Sequence, residues 1–320
     1  MVARICGTGM AIPKLRVSND DLTKFMETSD EWISERTGVR ARHIAVEETT
    51  TSLAVEAAKK ALDNAGMASS EIELIIAATI TADNLLPFLS GEIQAGLEIP
   101  NAAAFDLGAA CSGFLYGLSV ANAFIKSGIY KTALVVGAET LSKIMNWEDR
   151  TSCILFGDGA GAAVLKADSE GIIDSILGAD GKSGAVLGCE GRPLNNPFVK
   201  NEAEYPYVKM AGQEVYKFAV KTVPRSINEV LDKAGIAADD VKYFVLHQAN
   251  LRMIEAISKR MKQPIEKYPT CIEEYGNVSA ASVPMVLDQI NREGKLKKGD
   301  KIVLAGFGAG LTWGASVLTW

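Results

Sequence analysis

Cys111 lies in the run AAFDLGAACSGF, after a strand-like segment and at what reads as the start of a helix. A thiol there meets unpaired backbone N–H groups and the positive end of the helix dipole. Both favour the thiolate, the nucleophilic form. Gly108, Ala109, Ala110, Ser112 and Gly113 are small, so a substrate can come close. A free cysteine is otherwise commonly an inert core residue, and position alone leaves both readings open. Of the two histidines, His247 closes the segment YFVLH. Catalytic groups of α/β folds gather at the carboxyl ends of strands, although a capping or packing histidine would look the same. His43, in the polar stretch RARHIAV, reads as structural. Asn277 follows glycine in YGNVSAAS, where asparagine taken alone is a turn former. Cys6, Cys153, Cys189 and Cys271 lack the context of Cys111 and read as structural.

The elements that must position these groups alternate in type. Residues 73–79, 103–107, 131–139 and 161–167 are short apolar runs that read as buried strands. Residues 51–67 read as a helix ending at Gly66, and residues 111–127 as another with Gly128 as its C-cap. The second half repeats the style, with helices over 213–235, 250–262 and 282–294 and strands over 241–247, 301–308 and 314–320. Such alternation predicts α/β sheets covered by helices on both sides. Residues 170–205, rich in Gly, Pro and Asn, read mostly as loop and divide the chain into halves of 1–170 and 171–320. GDGAG (157–161) and GFGAG (306–310) imitate nucleotide-binding loops, but each leads into a strand instead of a helix. Both read as tight turns.

Composition narrows the function classes. Of the 320 residues, 48% are apolar and 22% charged, which places the chain among soluble globular proteins. No window approaches the ~18 apolar residues of a membrane span, and the N-terminus does not read as a signal peptide. Five widely spaced cysteines without a CxxC pair argue against a disulfide framework and for a reducing compartment, so the cytoplasm is the expected location. A net charge of −6 argues against nucleic acid as a general partner. No metal-binding motif occurs, and no metal is expected.

Together these pieces resemble the β-ketoacyl-acyl-carrier-protein synthase III family of thiolase-like condensing enzymes. The resemblance runs nearly end to end, through SDEWISERTGVRARHIA (29–45), AAFDLGAACSGF (103–114), ALVVGAE (133–139), LFGDGAGAAVL (155–165), HQANLR (247–252), GNVSAASVP (276–284) and GFGAGLTWG (306–314). It implies a five-layered αβαβα fold of two similar halves, each with a mixed sheet, and a homodimer. It implies a Cys111, His247 and Asn277 triad, with the backbone of Cys111 and of Ala309 as oxyanion hole. Trp32 and Arg150 would hold the adenine of coenzyme A, Arg36 its phosphates, and Gly212 and Asn250 the pantetheine. The partners implied are an acyl-CoA and an acyl carrier protein, both substrates, with no cofactor. Leu86, in Leu86-Pro87-Phe88, stands where the family places the dimer contact that closes the partner's acyl pocket. Tyr275 and Val278 also depart from the common pattern.

The carrier would dock on a basic patch. Arg252, Lys259 and Arg260 share one helical face by spacing, and the resemblance adds Lys217. The implied reaction is decarboxylative condensation of an acyl-CoA primer with malonyl carrier, initiating fatty acid synthesis. Within the superfamily, a starter-unit or CoA-only condensing enzyme is the alternative. A thioester hydrolase would need no enolate donor at Asn277, and a non-catalytic CoA-binding scaffold would need no Cys111.

Overall fold

Consecutive apolar residues build strands that are shielded on both faces. Leu74–Ala78 is such a run, and every one of its residues is buried. In the computed structural model, which describes residues 1–201 and 206–320, this strand pairs in parallel with Ala103–Leu107 on one side and Thr132–Thr140 on the other. Asp158–Asp168 follows antiparallel to Thr132–Thr140, and Val2–Ala11 antiparallel to Asp158–Asp168. A second mixed sheet runs in the order Val241–Leu246, Lys301–Gly308, Thr312–Thr319, Ile172–Ala179, with its first pair parallel.

Alternation of side chains across each strand assigns the layers. Ile75 and Ala77 pack against Leu53, Ala57, Ala61 and Leu62 of the helix Thr50–Ala65. Leu74 and Ile76 face the opposite way, onto a central layer formed by the helices Gly113–Lys126 and Ser282–Arg292. That layer meets Ile302 and Leu304 of the second sheet, whose other face, with Val303 and Ala305, is covered by the helices Gly212–Ala234 and Leu251–Met261. The result is the five-layered αβαβα arrangement, with a mixed sheet in each half. Thr49 caps the helix Thr50–Ala65 by accepting from Ser52 N, and Gly66 ends it in the left-handed region at φ 62°.

Several boundaries differ from the sequence reading. Residues 158–161 of GDGAG are not a turn but the start of the strand Asp158–Asp168. Its glycines serve close packing: a Cβ on Gly161 would lie 2.8 Å from Pro284, and one on Gly137, its cross-strand neighbour, 2.3 Å from the Ala280 carbonyl oxygen. In GFGAG the strand continues to Gly308, and only the part after it turns. The stretch 170–205 contains the strand Ile172–Ala179, read as loop because its apolar run is short and polar residues interrupt it. The part at 202–205 lies outside the described residues. The α-helix after Cys111 begins at Gly113, with Ala110–Ser112 forming a 3-10 turn, and its C-cap is Ser127, ahead of Gly128. Among the described residues, no helix is long and apolar enough to cross a membrane.

Candidate active site

Three chain segments meet at one cavity of about 430 Å³, lined by Cys111, His247 and Asn277 together with Ser279, Phe307, Gly308 and Ala309. Cys111 follows the strand Ala103–Leu107, in a 3-10 turn whose Ala110 adopts φ 45°. A non-glycine residue held there stores strain that packing must maintain. Gly308 supplies that packing, because a Cβ on it would lie 2.6 Å from Cys111 N and 3.1 Å from Ser112 N. Both contacts are backbone and cannot swing away. Gly308→Ala is therefore expected to lower the unfolding free energy by about 1–3 kcal/mol, read from the shift of the urea midpoint. An unchanged midpoint would show that this contact has room to relax.

His247 directly follows the strand Val241–Leu246, and its backbone N–H donates to Ala305 O at 2.9 Å. The ring stands edge-on to Phe307, with centroids 5.6 Å apart. Burial is complete enough to push its pKa down to about 3, so the imidazole is neutral. Its Nδ1 is buried with no hydrogen-bond partner among the described residues. Asn277 is pinned by its backbone: its N–H donates to Leu155 O, and its carbonyl accepts from Gly157 N. Asn277 Oδ1 accepts from Ser279 N at 2.9 Å. This orients the amide so that Nδ2, the donor end, points away from Ser279 N.

The thiol corrects the sequence reading. Burial pushes the Cys111 pKa up to about 12; a hydrogen bond from Ser279 opposes this and the charge of Glu139 adds to it. The α-helix begins two residues later than Cys111, and removal of the sulfur from water works against the thiolate that a helix start favours. The resting site thus holds a neutral thiol beside a neutral imidazole, and the thiol proton must leave as the sulfur attacks.

The outer end of the cavity carries Trp32, Arg36, Gly212 and Asn250. The Arg36 and Arg150 guanidinium carbons lie 4.7 and 5.3 Å from the Trp32 ring centroid, within cation–π range. Asn250 lines the cavity and also caps the helix Leu251–Met261, accepting from Arg252 N and donating to Arg36 O. Leu86 is 74% exposed and does not line the cavity of its own chain. Arg252 and Lys259 lie on the exposed face of Leu251–Met261, opposite Met253, Ile254 and Ile257, with Glu255 on the same face. Arg260 turns instead toward a surface groove with Lys221 and Arg225, and Lys217 pairs with Glu214 at 2.9 Å.

His43 is structural, held between Pro13 O at 2.7 Å and Glu274. Cys189, grouped above with the structural cysteines, is exposed and lines the cavity. Ser279 and Glu139 carried no role in the sequence reading. The available signal was a carboxylate ending the apolar run ALVVGAE, where an unpaired charge would be costly.

Residues 105–181 match the family described as 3-Oxoacyl-[acyl-carrier-protein (ACP)] synthase III, and residues 231–320 match 3-Oxoacyl-[acyl-carrier-protein (ACP)] synthase III C terminal. The beta-ketoacyl-[acyl-carrier-protein] synthase III of Clostridium perfringens (strain SM101 / Type A) is 49% identical over 319 residues, spanning 99% of this chain and 98% of its own. The solved 3-oxoacyl-[acyl-carrier-protein] synthase III from Aquifex aeolicus VF5 is similar with a TM-score of 0.93 at 43% identity, covering 99% of this chain and all of that one. The priming beta-ketosynthase from the R1128 polyketide biosynthetic pathway has a TM-score of 0.93 at 36% identity, covering 99% of this chain and 96% of that one.

Proposed function

Because the chain belongs to the β-ketoacyl-[acyl-carrier-protein] synthase III family, we propose a division of labour in which Cys111 carries the acyl group while His247 and Asn277 stabilise the malonyl enolate. The protein is an acyltransferase. It condenses an acyl-CoA primer with malonyl-acyl carrier protein, with loss of CO₂, and so initiates fatty acid synthesis. The observation that carries the residue assignment is the convergence of a thiol, a neutral imidazole and an oriented amide on one cavity.

Cys111 attacks the primer thioester and keeps the acyl group as a new thioester, releasing coenzyme A. Backbone N–H groups of Cys111 and Ala309 face the oxygen that becomes charged. Trp32, Arg36 and Arg150 take the nucleotide end of coenzyme A, with Gly212 and Asn250 along the pantetheine. Malonyl carrier then enters and loses CO₂, and the thioester oxygen becomes an enolate oxygen. A neutral His247 donates a ring N–H to it without having to lose a charge, and Asn277 donates from Nδ2. The carbanion attacks the acyl-Cys111 carbonyl, and the sulfur leaves. No step asks for a metal or redox group.

Ile80, Leu85, Leu86 and Phe88 form an exposed apolar stretch next to the edge strand Ala103–Leu107. This supports a homodimer in which Leu86 closes the partner's acyl pocket. Residues 1–170 and 171–320 act as two halves that supply Cys111 and the His247–Asn277 pair, respectively. A cytoplasmic location fits free thiols. The 36% identity to a polyketide priming enzyme keeps a starter-unit role as the second reading, separated by condensing malonyl carrier with a panel of acyl-CoAs of different size and branching.

Carrier docking is tested in the same assay. The net charge of −6 gives no long-range pull on an acidic carrier, so Arg252 and Lys259 must steer it locally. Reversing both charges is expected to raise KM for malonyl carrier by about tenfold at low salt, equivalent to ~1.4 kcal/mol. KM for acyl-CoA changes little, and added salt shrinks the difference. Unchanged carrier kinetics at low salt would remove this helix as the docking face.

A further inference from the structure

Arg42, in the strand Ala41–Ile44, is completely buried, and no step of the reaction above uses it. Burial lowers its pKa to about 10, so the guanidinium keeps its charge near neutrality. It bonds backbone carbonyls: Nη1 donates to Val17 O at 3.3 Å and Nη2 to Ile154 O at 2.7 Å. Its Nε has no partner among the described residues. Taking a charge out of water is costly, and an apolar side chain of similar volume would fill such a site at lower cost. The exception is a site whose carbonyls need that donor.

Ile154 opens the segment that clasps Asn277. Residues 154–157 and 275–277 are joined by a parallel bridge between Phe156 and Asn277. Leu155 O accepts from Asn277 N at 2.8 Å, and Gly157 N donates to Asn277 O at 3.1 Å. The chain enters Asn277 through Gly276 at φ 66° and ψ −160°. That conformation is essentially confined to glycine and persists only where its surroundings over-determine it. Both segments rest on the Arg42 stem. A Cβ on Gly157 would lie 2.3 Å from Tyr275 O and 3.2 Å from Arg42 Cβ, and one on Gly276 2.8 Å from Leu155 O and 3.5 Å from Arg42 Cβ.

We propose that Arg42 is a positioning residue for decarboxylation, holding the segment 154–157 so that the Asn277 amide meets the enolate oxygen. This rests on the reading of Asn277 as an enolate donor. Arg42 touches no substrate and acts through Ile154 and its neighbour Leu155. The sheet that carries it, in which Ala41–Ile44 pairs antiparallel with Leu15–Ser18, also grips the other segment. Arg40 N donates to Glu273 O at 2.9 Å. Arg16 pairs as a fork with Glu274, in the helix Ile272–Tyr275 that leads into Gly276 and Asn277. Cys111 is placed separately, by its own 3-10 turn and by Gly308, neither of which Arg42 bonds. Loss of the guanidinium therefore reaches one half-reaction and spares the other.

The test measures the half-reactions separately by mass spectrometry. Loss of CO₂ is read as conversion of malonyl carrier to acetyl carrier, and acylation as the rate of Cys111 modification at saturating acyl-CoA. Arg42→Met keeps an unbranched stem and removes the guanidinium. It should slow CO₂ loss on the order of 10²-fold, the effect of a misplacement of about 1 Å, and leave acylation little changed. In the Asn277→Ala background the same substitution should slow CO₂ loss no further, because the amide it positions is gone. Arg42→Lys keeps charge and stem, but an ammonium does not reproduce the planar fork. Its rate should lie between those of the wild type and Arg42→Met, and it carries the test should Arg42→Met not fold. Equal slowing of both half-reactions, or an effect that persists in full without Asn277, is the mark of packing alone and would overturn the role. So would a wild-type rate of CO₂ loss in folded Arg42→Met or, where only Arg42→Lys folds, in that variant. Wild-type decarboxylation in Asn277→Ala itself would overturn the donor reading instead.

Discussion

Cys111→Ala is expected to abolish acyl-enzyme formation, with no mass increment after incubation with acyl-CoA. The reason is placement. Cys153 and Cys271 are buried away from the cavity, with pKa values pushed up to about 11 and 12, and Cys6 packs against the Val164 carbonyl. Cys189 does line the cavity, but on an exposed loop among residues at its outer end. It lacks the Gly308 and Ala309 backbone beside which an oxyanion could be held. An adduct that persists on Cys189 in the variant would overturn the assignment. The substitution removes only the sulfur and keeps Cβ, so the variant should fold, and unfolding by urea provides the check.

The second large effect concerns decarboxylation. His247→Ala and Asn277→Ala should each slow loss of CO₂ from malonyl carrier by roughly 10²–10³, the usual consequence of deleting one preorganised donor to a developing oxyanion. Acylation of Cys111 should survive both changes. The pH dependence has a defined sign: His247 is neutral in the folded protein because burial lowers its pKa to about 3. Its protonation therefore contributes no falling limb to decarboxylation at any pH where the protein is assayed near neutrality. A variant that loses acylation yet keeps decarboxylation would reverse the roles. Measuring each half-reaction separately decides the matter.

Much of the scaffold around this site is legible in the sequence. The helix Thr50–Ala65 lies within two residues of the 51–67 reading, because Gly66 ends its amphipathic run, whereas the Thr49 N-cap is seen only in the structure. The strands Leu74–Ala78 and Ala103–Leu107 were found because short apolar runs between turn residues have few other solutions. Ile172–Ala179 was missed, since Asp174 and Ser175 break its apolar pattern and only pairing with Thr312–Thr319 makes it a strand. GDGAG was misread for the opposite reason. Glycine signals a turn locally, but here it lets the helix Ser282–Arg292 press against a strand, which is a property of two distant segments.

Residue types and their order along the chain place a thiol, an imidazole and an amide each beside the end of an element. Taken locally each of the three keeps a bland reading, and it is the resemblance carried by motifs spread along the whole chain that joins Cys111, His247 and Asn277 into a triad. Tertiary structure alone decided their protonation states. The helix-start argument favours a thiolate at Cys111, whereas burial of the sulfur pushes its pKa the other way, up to about 12. Burial also made His247 a neutral donor. It was the fold, too, that brought Glu139 from the end of one strand to Ser279 in a loop from the other half of the chain. Desolvation and long-range contact depend on what the rest of the chain packs around a side chain, and no window of sequence contains that.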